Sequence, residues 1–220
     1  MNKKVLTMAV MAAVCGMAAA PVWAANSGGT VNGDGKFVGD NGAADNRLLI
    51  DEDSRQEIIS GLGTGNDKVQ NNSIEVSAGT ISERIIGGMS EGDGDIDYNS
   101  VTISGGKMSE AVYGAYTEGS GIVAYNSVTL TDGLINGEVY GGASTKNGIA
   151  EYNSVTVSGG TINMLATGGV SIDNVARYNN VTVTGGTIKG SIYGGMSEIN
   201  AIENLSLIHI SEPTRQAEIS

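Results

Sequence analysis

Residues 98–114 read YNSVTISGGKMSEAVYG, and this stretch decides the fold. Asn99, Val101 and Ile103 alternate with Ser100, Thr102 and Ser104. A period of two, rich in β-branched residues, predicts a half-buried strand. Gly105 and Gly106 then turn the chain, and Met108 and Val112 are the next apolar positions. Gly114 is expected to end a second short strand and mark the next corner. Ile122 and Val123 suggest a third strand before Tyr125, where the pattern begins again.

Outward from this stretch the same unit recurs at 71–97, 98–124, 125–151, 152–177 and 178–204, with a weaker copy at 44–70. Spacing near 27 residues is the signature of a repeat fold, in which each unit buries its face against its neighbours. The expected fold class is therefore all-β: a β-solenoid, in the form of a right-handed parallel β-helix. One unit per coil would stack like residues at about 4.8 Å. Ile74, Val101, Val128, Val155 and Val181 would form one aliphatic column, and Val76, Ile103, Leu130, Val157 and Val183 a second. Ile81, Met108, Ile135, Ile162 and Ile188 would form a third. Asn72, Asn99, Asn126, Asn153 and Asn179 would form a structural ladder, amide to amide. Gly106, Gly133, Gly160 and Gly186 would permit corners that a Cβ obstructs. Tyr98, Tyr125, Tyr152 and Tyr178 make a further column, and Tyr113, Tyr140 and Tyr193 a partial one. Such rows stack on sugar rings or on one another, and mutual stacking at the solenoid corner is the expected arrangement.

The two ends read differently. Lys3 and Lys4 precede the uncharged apolar run 5–20, and Val22-Trp23-Ala24 follows Pro21 as a small-residue cleavage site. This predicts a signal peptide at 1–24 and export. The run is short for a bilayer span, and Cys15 sits mid-run, away from a lipidation position. Residues 25–43 form a Gly/Asn-rich lead-in containing Phe37, the one Phe, which is expected to cover the first coil. Leu205 to Arg215 reads LSLIHISEPTR, the in-frame translation of a transposase sequencing-adapter strand. Residues 205–220 are therefore read as an adapter artefact, and His209, the one His, carries no functional argument.

The formal charge is −12, and −14 once Lys3 and Lys4 are removed. That acidity argues against nucleic acid or anionic lipid as a partner. Cys15 is the only cysteine, so cleavage would remove thiol chemistry, disulfides and cysteine metal sites.

The export signal and the YNSVT(I/V)SGG…VYGG units together resemble passenger regions of bacterial autotransporters. In these Gram-negative surface proteins a C-terminal membrane barrel carries out a β-helical passenger. The resemblance covers about 44–204. It implies outer-membrane or cell-surface display, adhesion or biofilm roles and no cofactor. It implies a membrane link only through a barrel beyond Asn204, and partners that are host or bacterial surface glycans or proteins, or further copies of the chain.

No sequence motif specifies catalysis, and no catalytic residue is assigned. Asp93, Asp95 and Asp97 alternate in GDGDID, a spacing that could present oxygens to Ca²⁺. A solvated acidic loop is the competing reading, and the triplet occurs once. Two rival functions remain: a polysaccharide-active β-helix enzyme and a passive stalk for another domain. Charges such as Glu110, Glu118, Lys146 and Glu151 fall in variable loops rather than converging on one face.

Overall fold

A computed structural model describes residues 29–31, 35–198, 202–203 and 206–209. The expected signal peptide at 1–24 and most of the 205–220 tail lie outside the described residues. Every described element is a strand, a bridge or a turn, and among the described residues no helix is long and apolar enough to cross a membrane. The chain winds as a β-solenoid of about six coils with about 27-residue spacing.

One coil serves for all. Ser100–Ile103 lies in a first sheet, Lys107–Met108 in a second, Val112–Thr117 in a third and Val123–Ala124 in a fourth. Each strand pairs in parallel with its equivalents above and below: Val101 lies between Ile74 and Val128, and Met108 between Ile81 and Ile135. The weak unit also forms a coil: Arg47–Ile50 pairs with Ser73–Val76 and Ile58–Gly63 with Ile85–Ser90, while at the second sheet it contributes only the single bridge from Ser54 to Ile81.

The first sheet buries alternate residues, as its period of two requires. Val101 and Ile103 are fully buried, while Ser100 and Thr102 face out. These side chains join Met108 and Val112 in one continuous apolar cluster from Phe37 to Val183. A smaller cluster of Val69, Ile96, Ala115 and Val123 fills the corner behind the fourth sheet. Phe37 closes the N-terminal end: its strand, Phe37–Gly39, pairs with Ile58 and Ile59 and is capped by the antiparallel strand Gly29–Val31.

Gly106 supplies the corner after the first sheet, at φ +82. Gly114, in contrast, does not end a strand. It lies inside the six-residue strand Val112–Thr117, and a coil carries four strands rather than three. A Cβ on Gly87, Gly114, Gly141 or Gly168 would fall within 2.3–2.4 Å of a carbonyl oxygen in the next coil. These glycines permit close backbone approach in a strand interior.

The backbone of Ser206–His209 adds a further parallel strand beside Asn180–Val183. The open end of a solenoid is an unpaired strand edge, which accepts any segment able to extend.

Candidate functional site

The asparagine column lies at the corner between the fourth and first sheets. Asn72, Asn99, Asn126, Asn153 and Asn179 are all buried. The Oδ1 of Asn126 accepts both the backbone N–H and the amide Nδ2 of Asn99, each at 2.9 Å. Asn126 in turn donates in the same way to Asn153, at 3.0 Å for both bonds. Its Nδ2 also donates to the Ile96 and Ala124 carbonyls. Every amide dipole therefore points the same way along the axis, so the bonds reinforce one another. The column leans on a second line of glycines. A Cβ on Gly61, Gly88, Gly142 or Gly169 would sit 2.1–2.6 Å from an asparagine amide. Asn46 extends the ladder by one coil through its bond to Asn72 at 2.8 Å. Its position 26 residues before Asn72, ahead of the alternating RLLI, was the available sequence signal.

A second buried polar column runs along the end of the third sheet. Ser90, Thr117, Ser144 and Ser171 end the third-sheet strands with no exposure. Their hydroxyls close the following loops: Thr117 Oγ1 accepts from Gly119 N at 3.0 Å, and Ser144 Oγ donates to the Lys146 carbonyl at 3.1 Å. The hydroxyl residue recurs at the unit spacing, but small polar residues are so common here that the column does not stand out.

Immediately before the asparagines stands the tyrosine ladder. Tyr98, Tyr125, Tyr152 and Tyr178 have ring centroids 5.1, 4.9 and 4.8 Å apart, with interplanar angles of 4–8°. They remain 41–57% exposed. Because the rings lie face to face, each covers its neighbour's face, and solvent meets the ring edges and phenol oxygens. All four occupy the left-handed backbone region, at φ +55 to +57. Asp45 and Asn71 hold the equivalent corner in the earlier coils, and short polar residues tolerate that region best. The left-handed conformation costs an ordinary residue about 1–2 kcal/mol, and each aromatic pair returns about 0.5–1.5 kcal/mol. The two nearly balance, so stacking allows tyrosine at this corner without requiring it. On the third sheet Tyr113 and Tyr140 also stack, at 5.0 Å, but Thr167 separates Tyr140 from Tyr193. Burial, reinforced by the neighbouring Tyr140, pushes the Tyr113 hydroxyl up to about 12.

The chain matches no family model, no curated protein and no solved structure.

Asp93, Asp95 and Asp97 are engaged separately. Asp93 Oδ1 accepts from the Ser120 backbone N–H at 2.9 Å and its hydroxyl at 2.8 Å. Those bonds hold the carboxyl below its usual range. Asp95 Oδ1 accepts from Ile122 N at 2.9 Å, and Asp97 pairs with Lys68 at 2.7 Å. Two of the three carboxylates thus tie their loop to the coil above. Among the described residues no group of three His, Cys, Asp or Glu side chains is placed to hold a metal ion. Among the described residues Glu57 gathers two cations, contacting Lys36 at 3.3 Å through one oxygen and Arg84 through the other. A carboxylate neutralised on both oxygens is arranged as an ion pair rather than as a proton donor. Arg84 also lies 5.5 Å over the Tyr116 ring.

Proposed function

We propose that this chain is an exported, cell-surface β-solenoid, the passenger segment of an autotransporter-like protein that serves adhesion, self-association or a structural role. The observation that carries this reading is the uninterrupted stack of coils with an exposed tyrosine ladder along one corner. A stacked repeat offers an extended surface rather than an enclosed pocket, and extended surfaces suit recognition of other large surfaces. Acidic charge keeps such a rod soluble and repels nucleic acid. Neither a cofactor nor catalysis is part of this reading. Membrane attachment would come only through a barrel encoded after Asn204.

Two measurements test it. The uninterrupted gene read past Asn204 should encode a membrane barrel; a lyase domain or a wall-sorting signal there would overturn the autotransporter reading. In cells expressing the uninterrupted gene, added protease or antibody should reach the coils from outside.

A further inference from the structure

The first sheet and the tyrosine corner form one continuous surface. Outward from the strands point Ser100, Thr102 and Ser104, then Ser127, Thr129 and Thr131, then Ser154, Thr156 and Ser158. In the next coil Thr182 and Thr184 continue two of the columns. The result is a grid of hydroxyls, spaced about 4.8 Å between coils and about 6.6 Å along each strand. From Asn99 onward its strands carry no charged side chain, and at the tyrosine border the Arg177 guanidinium lies 5.9 Å over the Tyr178 ring. The phenol oxygens of Tyr98, Tyr125, Tyr152 and Tyr178 run along its border. Ser104 and Thr131 donate weakly to carbonyls in the coil before, at 3.3 Å. The hydroxyls of Thr102, Thr129, Thr156 and the four tyrosines make no hydrogen bond to another described residue. At the N-terminal end of the same face lies an open depression of about 450 Å³, lined by Arg47, Ser73, Ile74, Glu75, Ser100 and Thr102. Arg47 and Glu75 approach each other there at 3.5 Å.

We propose that this face binds an extended, neutral polysaccharide laid parallel to the solenoid axis, about one sugar per coil. The proposal rests on the surface-display reading for its biological setting and names the partner class for it. Four features favour that ligand. Free, uncharged hydroxyls recognise other hydroxyls by hydrogen bonding, while the acidic chain repels anionic polymers. Between Tyr98 and Tyr178 the ring faces are occupied by one another, so along the ladder the ligand is held through phenol oxygens and ring edges. The strand backbones of this face are paired up and down the stack, which leaves no edge for a peptide strand to join. The periodicity itself selects an extended chain. Equatorially linked pyranoses advance by nearly one strand spacing per sugar, whereas axially linked chains coil away from the surface. The depression at Arg47 and Glu75 is the natural seat for a terminal sugar, since the pair offers both a donor fork and an acceptor.

Calorimetry on the purified chain, with cellohexaose and chitohexaose as probes and maltohexaose as the coiled control, tests the proposal. At least one extended probe should bind saturably, tighter than about 1 mM, and maltohexaose should not. The double variants T129V/T156V and Y125N/Y152N should each weaken binding about tenfold or more. Valine keeps the β-branch, and asparagine already occupies the tyrosine corner at Asn71. If a variant fails to fold, methyl NMR of the unaltered chain replaces it: Thr102, Thr129 and Thr156 should shift on titration. Absence of binding by both extended probes, equal binding of maltohexaose, or full affinity in a folded variant would overturn the proposal. Binding lost with surface display intact sinks this inference alone. Display lost with binding intact sinks the surface reading alone.

Discussion

At the residue scale, the buried asparagine and the exposed tyrosine beside it have opposite energetics. Asn126 satisfies two donors of Asn99, and its own donors are satisfied in turn. Replacing it by leucine strands the Asn99 backbone N–H in a dry interior, while the Asn99 amide keeps the Val69 and Asp97 carbonyls. An unmet buried group costs about 1–3 kcal/mol, so Asn126→Leu should destabilise the chain by about that much in a denaturant titration. Tyr125→Asn should behave differently. It loses two stacking contacts of about 0.5–1.5 kcal/mol each and relieves about 1–2 kcal/mol of left-handed backbone cost. Its melting curve should lie close to that of the parent. A large loss would show that stacking dominates the corner.

At the element scale, strands are held by apolar columns and loops by carboxylates. Val155 has no exposure and lies between Val128 and Val181 in the first sheet. Val155→Asp places an unpaired charge in that column and should cost several kcal/mol, read as loss of the β signal in circular dichroism. The loop around Asp93 follows pH instead. Its folded carboxyl titrates below the unfolded value because Ser120 donates to the ionised form twice. The contribution is therefore present above the unfolded carboxylate value, near 3.9, and fades as pH falls through the lower folded value. Asp93→Asn should flatten that part of the stability–pH curve while leaving neutral-pH folding in place. A parent and variant with parallel curves below about pH 4 would contradict the assignment.

At the scale of the whole molecule, stability should add up coil by coil, because each coil touches only its neighbours. Removing residues 125–151 joins Ala124 to Tyr152 and restores every column, since Tyr152 takes the register position of Tyr125. This shortened rod should fold with a modestly lower melting temperature. Removing about half a coil places polar outward residues opposite apolar columns and should abolish the cooperative transition. Equal tolerance of both deletions, measured by thermal circular dichroism, would contradict the stacked architecture.

The alternation at 99–104, the spacing of the units and the glycine pair at 105–106 were enough to determine a β-solenoid and its aliphatic columns. These are one-dimensional properties: a period of two places a residue in or out, and a repeat places like beside like. The role of Gly114 was not available in that form. Both a corner and a close approach call for glycine, and only the carbonyl of the coil above distinguishes them. The same holds for Asp93 and Asp95. A carboxylate in a loop looks the same whether it faces a cation, water or an N–H, and here the stacked coil brings the N–H. The tyrosine ladder follows this rule too. Its periodicity was legible, but the covering of its faces and the opening of its edges depend on ring planes set by a left-handed corner, which exists only once the coils are stacked.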